Sequence, residues 1–436
     1  MKTEKGNGKT FLFLQGPHGP FFRRLSDQLR QTGAKTLRIG FNAGDQAFWP
    51  EKHSYLPFHG TQVDWADWLD RQVQHLNVSD IVLYGDTRPV HAIAIERAKA
   101  LNLTIHVFEE GYLRPYWITY ERDGSNGHSR LMDMSVPEIR ARLNDNGIDI
   151  PEVPAHWGDM RQHIFYGAVY HWFVLTMNRR YSNFAPHRSL TVSQEFRLYI
   201  RRLILMPWFR IERWIATNRV RFGGFPYHLA LLQLEHDASF QAHSDFETLE
   251  EFSRTVLEGF AAGGPSHHHL VFKAHPLDDG RAPVQRDIIR IAKKLGLQNR
   301  VHFIRGGKLA RLLDHASSAV AINSTAAQQA LWRGLPTKAF GTAVYSKPEF
   351  VSQQPIKEFF ANPTRPDLEA YQDYRRFLLE TSQITGGYYS KRGRRQALRQ
   401  VVDLMLLDQD PYDSAKPGKA APRQQFQIVR EATPPP

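Results

Sequence analysis

Short apolar runs alternate with amphipathic segments of helical period over two stretches of this chain, and that alternation constrains the fold more than any other feature. Residues 10–15 read as a buried strand, followed by a Gly/Pro loop and a helical pattern over 21–32. Residues 35–40, 80–84 and 104–108 read as further strands, with a helix over 91–101 between the last two. The alternation stops near His156 and resumes at Tyr227, with strands over 227–234, 269–274, 301–304, 318–322 and 337–340. Helices over 246–261, 286–295 and 326–332 separate them. Strands that alternate with helices imply a parallel sheet covered on both faces. The prediction is therefore an α/β protein of two domains, 1–155 and 223–405, with a helical connection over 156–222. Residues 406–436, rich in Pro, Lys, Ala and Gln from Pro411 onward, are expected to be a disordered tail.

A chain of 436 residues is long enough for two full cores. It has no cysteine, which removes disulfides and thiolate metal sites from consideration and agrees with a reducing cytoplasm. No stretch approaches the ~20 apolar residues of a membrane span. Residues 1–10 are polar, and Phe11-Leu12-Phe13-Leu14 is too short for a signal sequence. A soluble or peripheral protein is expected. The net charge of +12 points to an anionic partner without choosing among nucleic acid, lipid and a phosphorylated substrate.

The chemistry-bearing residues fall at the ends of the strand-like runs, where ligands of open α/β sheets bind. Glu109-Glu110-Gly111 follows one run, and a carboxylate there can serve as general acid or base for a hydroxyl. Arg114, just beyond, offers a cation to an anionic ligand. His275-Pro276 follows another run; proline fixes the backbone behind the imidazole, which can donate to a phosphate. Lys273 is expected on the same side of that strand. Asn323-Ser324-Thr325 precedes a helix, where the hydroxyls can cap it and also help hold an anion. Gln233 and Asp237 follow the run that starts at Tyr227. His18, in Gly16-Pro17-His18-Gly19-Pro20, and Asp86 and Arg88, in Gly85-Asp86-Thr87-Arg88, sit in similar loops. Neither loop has the spacing of a dinucleotide fingerprint or a P-loop. His267-His268-His269 lacks carboxylates at ligand spacing, so a solvated histidine run, with no metal, is expected there.

The connection over 156–222 mixes Trp, Tyr and Phe with many arginines and few acids. It reads as a helical linker, as a nucleic-acid surface without a recognisable motif, or as an interfacial surface with Trp172, Phe173, Trp208, Phe209 and Trp214 in lipid.

Taken in order, Gln15-Gly16-Pro17, Tyr84 to Arg88, Glu109 to Pro115, Leu232-Gln233-Leu234 with Asp237, Lys273 to Pro276, and Asn323-Ser324-Thr325 resemble the capsule polysaccharide biosynthesis family, in its KpsS/LipB-type members. The acid-acid-Gly, His-Pro and Ser-Thr pattern is also similar to that of bacterial sialyltransferases. The resemblance implies a GT-B-like fold of two Rossmann-like domains facing a cleft. It implies a metal-independent, retaining β-Kdo transferase without a cofactor, using CMP-Kdo as donor and a lyso-phosphatidylglycerol as acceptor. By position Asp237 matches the nucleophile, and Glu110 or Glu109 would take the acceptor proton. His275, Lys273, Ser324, Thr325, Asn323, Gln233 and Arg114 would bind the donor, with His18, Asp86 and Arg88 on the acceptor side. Glu235 leaves a second carboxylate near Asp237. A cytoplasmic enzyme peripheral on the inner membrane follows, with other capsule assembly proteins as further partners and nucleic acid disfavoured. The alternatives are a non-catalytic assembly or export factor, and an inverting sialyltransferase-like enzyme. Kdo and sialic acid both carry a carboxylate beside the anomeric carbon, so the residues leave the donor sugar open.

Overall fold

A computed structural model of the protein describes residues 6, 8–114, 116–143, 159–183, 192–276, 278, 280 and 282–414. The chain forms two compact units. The first comprises Met1–Arg130, Pro137–His187 and Arg375–Pro436, and the second Leu131–Val136 and Arg188–Tyr374.

The first unit is built on a seven-stranded sheet. Its strands are β1 (Thr10–Phe13), β2 (Lys35–Gly40), β3 (Tyr55–Pro57), β4 (Asp80–Tyr84), β5 (Thr104–Glu110) and β6 (Trp117–Arg122). The seventh, Gln383–Thr385, comes from the far end of the chain and pairs antiparallel with β6, which itself runs antiparallel to β5. The strands from β1 to β5 pair in parallel. β1 and β4, near-continuous apolar runs, are buried on both faces, whereas Lys35 of β2 and Pro57 of β3 are exposed. Phe11, Phe13, Phe22, Phe108 and Tyr120 fill one side with the helix Lys391–Leu406. Leu12, Leu14, Ile81, Leu83 and Val107 fill the other.

The second unit has a five-stranded, wholly parallel sheet of β7 (Tyr227–Leu231), β8 (His269–Lys273), β9 (Val301–Ile304), β10 (Ala316–Ala321) and β11 (Thr337–Ala339). Its order is β11-β10-β7-β8-β9. The helix Leu249–Gly263, capped by the Thr248 hydroxyl, lays Phe252, Val256 and Phe260 on that sheet.

The α/β class with parallel sheets is as expected, and four particulars differ. The expected 223–405 domain ends early, because the chain returns to the first unit at Arg375 and completes its sheet. The 156–222 connection is not a separate element: the helix Asp159–Met177 belongs to the first unit and Val192–Phe222 to the second. Residues 406–414 of the expected tail are packed, and 415–436 lie outside the described residues. Tyr412 is buried and its hydroxyl donates to Glu121, which also accepts from Tyr112 (2.6 Å) and Ser129 (2.5 Å). Burial pushes the Glu121 carboxyl up to about 7, against the pull of these three donors.

The fourth correction concerns the histidine run. His268 and His269 do not sit in solvent. His228 Nε2 is 2.9 Å from His268 Nδ1, and His269 Nδ1 is 2.8 Å from His302 Nε2, while Phe225 stacks on His269. These pairs lie at the amino-terminal end of the second sheet. Burial, reinforced by the neighbouring histidine, drives His228 down to about 3 and His302 to about 4. Among the described residues no cluster of His, Asp and Glu is arranged to hold a metal ion.

Candidate functional site

Two groups of polar side chains stand at the carboxyl ends of the strands, one in each unit. In the first unit Glu109 and Glu110 are the last residues of β5, in register with Thr119 and Ile118 of β6. They belong to the strand itself, whereas the sequence suggests that it ends at Phe108. Both are half-buried. The Tyr84 hydroxyl donates to Glu110 Oε1 at 3.1 Å, and the Tyr388 hydroxyl donates to the Glu109 carbonyl at 2.6 Å. Burial, with both carboxylates nearby, raises the Tyr84, Tyr388 and Tyr389 hydroxyls well above the ordinary tyrosine range. They therefore stay protonated as donors. Glycine is demanded at 111, where a Cβ would stand 2.2 Å from the Trp117 carbonyl oxygen. Gly85 has φ +71° and lets β4 end against β5, its amide donating to the Phe108 carbonyl.

The other first-unit candidates separate from this group by role. The Arg88 guanidinium lies 5.6 Å from the centre of the Tyr84 ring. Asp86 is buried, and its Oδ2 accepts from the Ser125 amide (2.8 Å) and faces His128 Nδ1 (3.1 Å). That is the bonding of a loop anchor. His18 stacks on Tyr170 of the helix Asp159–Met177, with centroids 4.2 Å apart. Arg114 is exposed, and its Nε donates to the Gly111 carbonyl.

In the second unit, the loops after β7 and β8 border a small concavity. Gln233, Glu235, His236, His275, Asp278 and Phe303 are among the residues that line it. Gln233 also clamps the loop after β10: its Nε2 donates to Asn323 Oδ1 (2.6 Å) and its Oε1 accepts from the Asn323 amide (3.1 Å). Tyr345 donates to the Ser324 carbonyl at 2.7 Å, so the Asn323-Ser324-Thr325 loop is held from both sides. The helix behind it, Ala327–Leu331, has only five residues and no side-chain cap. Ser324 Oγ accepts instead from the Ala326 amide. The macrodipole of so short a helix is small, and any anion contact there falls to the loop's own hydroxyls and amides.

Glu235 is already employed. Its Oε2 accepts from the Leu249 amide at 2.9 Å, at the first turn of the helix Leu249–Gly263. Asp237, two residues on, is exposed and begins the short helix Ala238–His243. Lys273 is buried at the end of β8, its Nζ 3.5 Å from the Ala274 carbonyl. Burial, with Arg213 adding repulsion, lowers its ammonium to about 8.

Sequence reasoning missed Tyr84 as a partner of Glu110, and with it Tyr388, Tyr389 and Tyr345. The signal for two of them was present. Gly386-Gly387-Tyr388-Tyr389-Ser390 is another loop between a strand and a helix, with Ser390 capping Lys391–Leu406.

An α/β protein with polar groups at the carboxyl ends of two separate sheets is the class these observations define. The sequence model described as capsule polysaccharide biosynthesis protein matches residues 79–389, and the chain belongs to that family. Among curated relatives, the capsule polysaccharide modification protein LipB of Neisseria meningitidis is 31% identical over 392 residues, 88% of this chain and 93% of LipB. The capsule polysaccharide export protein KpsS of Escherichia coli is 29% identical over 384 residues, 88% of this chain and 97% of KpsS. Among solved structures, the β-Kdo 2,7 transferase KpsC of Thermosulfurimonas dismutans aligns with a TM-score of 0.44 at 12% identity, covering 91% of this chain and 100% of that one.

Proposed function

We propose that this protein is a metal-independent glycosyltransferase of capsule biosynthesis that moves Kdo from CMP-Kdo to a lyso-phosphatidylglycerol and retains the anomeric configuration. The observation that carries the reading is the second-unit strand end, where His275 faces a concavity and Gln233 clamps the Asn323-Ser324-Thr325 loop. Such a set of hydrogen-bonding side chains suits the phosphate of a departing nucleotide.

In this reading an Asp237 oxygen attacks the anomeric carbon as the bond to the CMP phosphate oxygen breaks, the electron pair leaving with CMP. His275 and Ser324 or Thr325 donate to that phosphate. The acceptor oxygen then attacks the same carbon, the bond to Asp237 breaks and the carboxylate is restored. The acceptor proton passes to Glu110 or Glu109. The two inversions sum to retention.

The test is transfer to a fluorescent lyso-phosphatidylglycerol with CMP-Kdo generated in situ, followed by mass spectrometry, for the wild type and Asp237→Ala. A Kdo-lipid made by the wild type and lost in the variant is expected, unchanged by EDTA. A product that persists in Asp237→Ala with inverted configuration would shift the reading to a sialyltransferase-like enzyme. The export name of the Escherichia coli relative favours a second reading, a non-catalytic assembly factor. Absence of product with both CMP-Kdo and CMP-sialic acid, from folded protein, would establish it over the first.

A further inference from the structure

From Phe209 to Val220, one face of the helix Val192–Phe222 is held to the second unit. Val220 is buried, the Arg305 guanidinium lies 5.0 Å from the Phe209 ring centre and bonds Glu212, and Arg213 packs on Gly307. The opposite face is apolar. Ile204, Trp208, Ile211, Ile215 and Phe222 are each more than half exposed. At about 100° per residue these positions fall within roughly 60° of arc, a single stripe with exposed Arg197 on the same arc at its amino-terminal end. Exposed Trp214 borders it. Arg201 and Arg219 flank the stripe on one side, with Arg210 and Arg221 on the other. Residues 197–222 hold seven arginines and a single acid, Glu212, which is paired with Arg305.

An amphipathic helix normally turns its apolar stripe to the protein core. This one turns a stripe to solvent between two rows of cations. We propose that this face is the surface by which the protein lies on an anionic lipid bilayer, with the stripe among the acyl chains and the arginines at the headgroups. For its purpose the proposal rests on the reading of a lipid-borne acceptor, since a water-borne enzyme must reach a substrate held in a membrane. No helix among the described residues is long and apolar enough to cross a bilayer, which agrees with a helix lying in its plane. The charge selects this occupant over a second copy of the chain. Two such faces brought together would set arginine rows against each other, with no acids to offset them. Anionic headgroups meet both rows at once.

Flotation of the full chain with phosphatidylethanolamine vesicles, containing either phosphatidylglycerol or phosphatidylcholine, tests the proposal. Binding to the phosphatidylglycerol vesicles that weakens with salt is expected. Combined Trp208→Ser, Ile211→Ser and Ile215→Ser should weaken it on the order of a hundredfold, from the apolar area lost. Combined Arg201→Glu and Arg210→Glu should weaken it at least about tenfold and abolish the preference for phosphatidylglycerol. All these positions are exposed, so melting temperatures should match the wild type. Both variants should keep wild-type transfer to a detergent-dispersed acceptor. Loss of vesicle binding with retained transfer supports the surface, whereas vesicle binding unchanged in the variants overturns it. So does a wild-type dimer that the triple variant converts to monomer, or salt-sensitive capture by an acidic protein without vesicle binding. Absence of transfer in the wild type bears on the enzymatic reading alone, because flotation does not depend on turnover.

Discussion

The two strand-end groups are assembled in opposite ways. In the second unit, Gln233, His275 and Asn323 each follow their own strand by one or two residues, and a local loop carries each of them. In the first unit, the acidic pair is local to β5, but Tyr388, which bonds the Glu109 carbonyl, arrives from 279 residues away. Gln383, also from the returning segment, accepts from the Tyr112 amide just after the pair. One site is set by adjacent loops, the other by a long-range closure. The second-unit loops still need their sheet, since Gln233 and Asn323 are 90 residues apart, but the Glu109–Tyr388 closure spans 279 and needs nearly the whole chain.

Glu121 in the first unit and His228 in the second respond to pH in opposite senses, although burial also lowers His106 in the first unit. Glu121 in the first unit has its folded value raised from 4.5 to about 7, so between those values the folded state holds the extra proton. Its contribution to stability is full below about pH 4.5 and is lost as the pH rises to about 7. His228 in the second unit is depressed from 6.5 to about 3. There the unfolded state holds the extra proton, and stability present above pH 6.5 is lost as the pH falls.

The largest effects should come from chemistry. Glu110→Gln is expected to lower the transfer rate by about 10²–10⁴-fold and His275→Ala by about 10²-fold, measured in the lipid transfer assay. Equal, small losses from both would break the comparison of the two strand ends as parts of one reaction. Next is the opposed pH response. Region-resolved hydrogen exchange, corrected for intrinsic rates, should show that the Glu121 contribution to first-unit protection, read as wild type against Glu121→Gln, falls from pH 5 to 7 by an amount on the order of 2 kcal/mol. The His228 contribution to second-unit protection should change in the reverse sense, and Glu121→Gln should leave it untouched. Gln233→Ala removes the bonds to Asn323 Oδ1 and its amide, leaving the Nδ2 bond to the His243 carbonyl, and should cost about 1–3 kcal/mol in chemical denaturation. Smallest is Tyr388→Phe, which removes one hydrogen bond and should cost about 0.5–1.5 kcal/mol in the same measurement. A larger loss would mean that the closure carries more of the first unit than one bond.

Much of the frame was legible. The strands expected at 10–15, 35–40, 80–84 and 301–304 formed with little change, β1 ending two residues early; at 10–13 and 80–84 a strand buried on both faces is written as a nearly unbroken apolar run. β6 escaped notice, since Trp117-Ile118-Thr119-Tyr120-Glu121-Arg122 ends in a charged pair that a reader assigns to a loop. Both find partners that the local sequence does not announce. Glu121 meets Tyr112, Ser129 and Tyr412, and Arg122 donates to carbonyls at Leu404, Leu407 and Asp408. The packing of residues 406–414 was hidden for the same reason.

What the sequence by itself determined is therefore the local part: the α/β class, the strands that a single apolar run writes, and the loops that carry His275, Asn323 and the acidic pair. Period and turn chemistry act over a few residues and leave their mark there. The tertiary structure alone decided the return of Arg375–Pro436 to the first unit, the tyrosines around Glu109 and Glu110, and the helix face that stays in solvent. A stripe of Ile, Trp and Phe reads identically whether it meets a core or water. Only the packing of the opposite face shows which side is left outside.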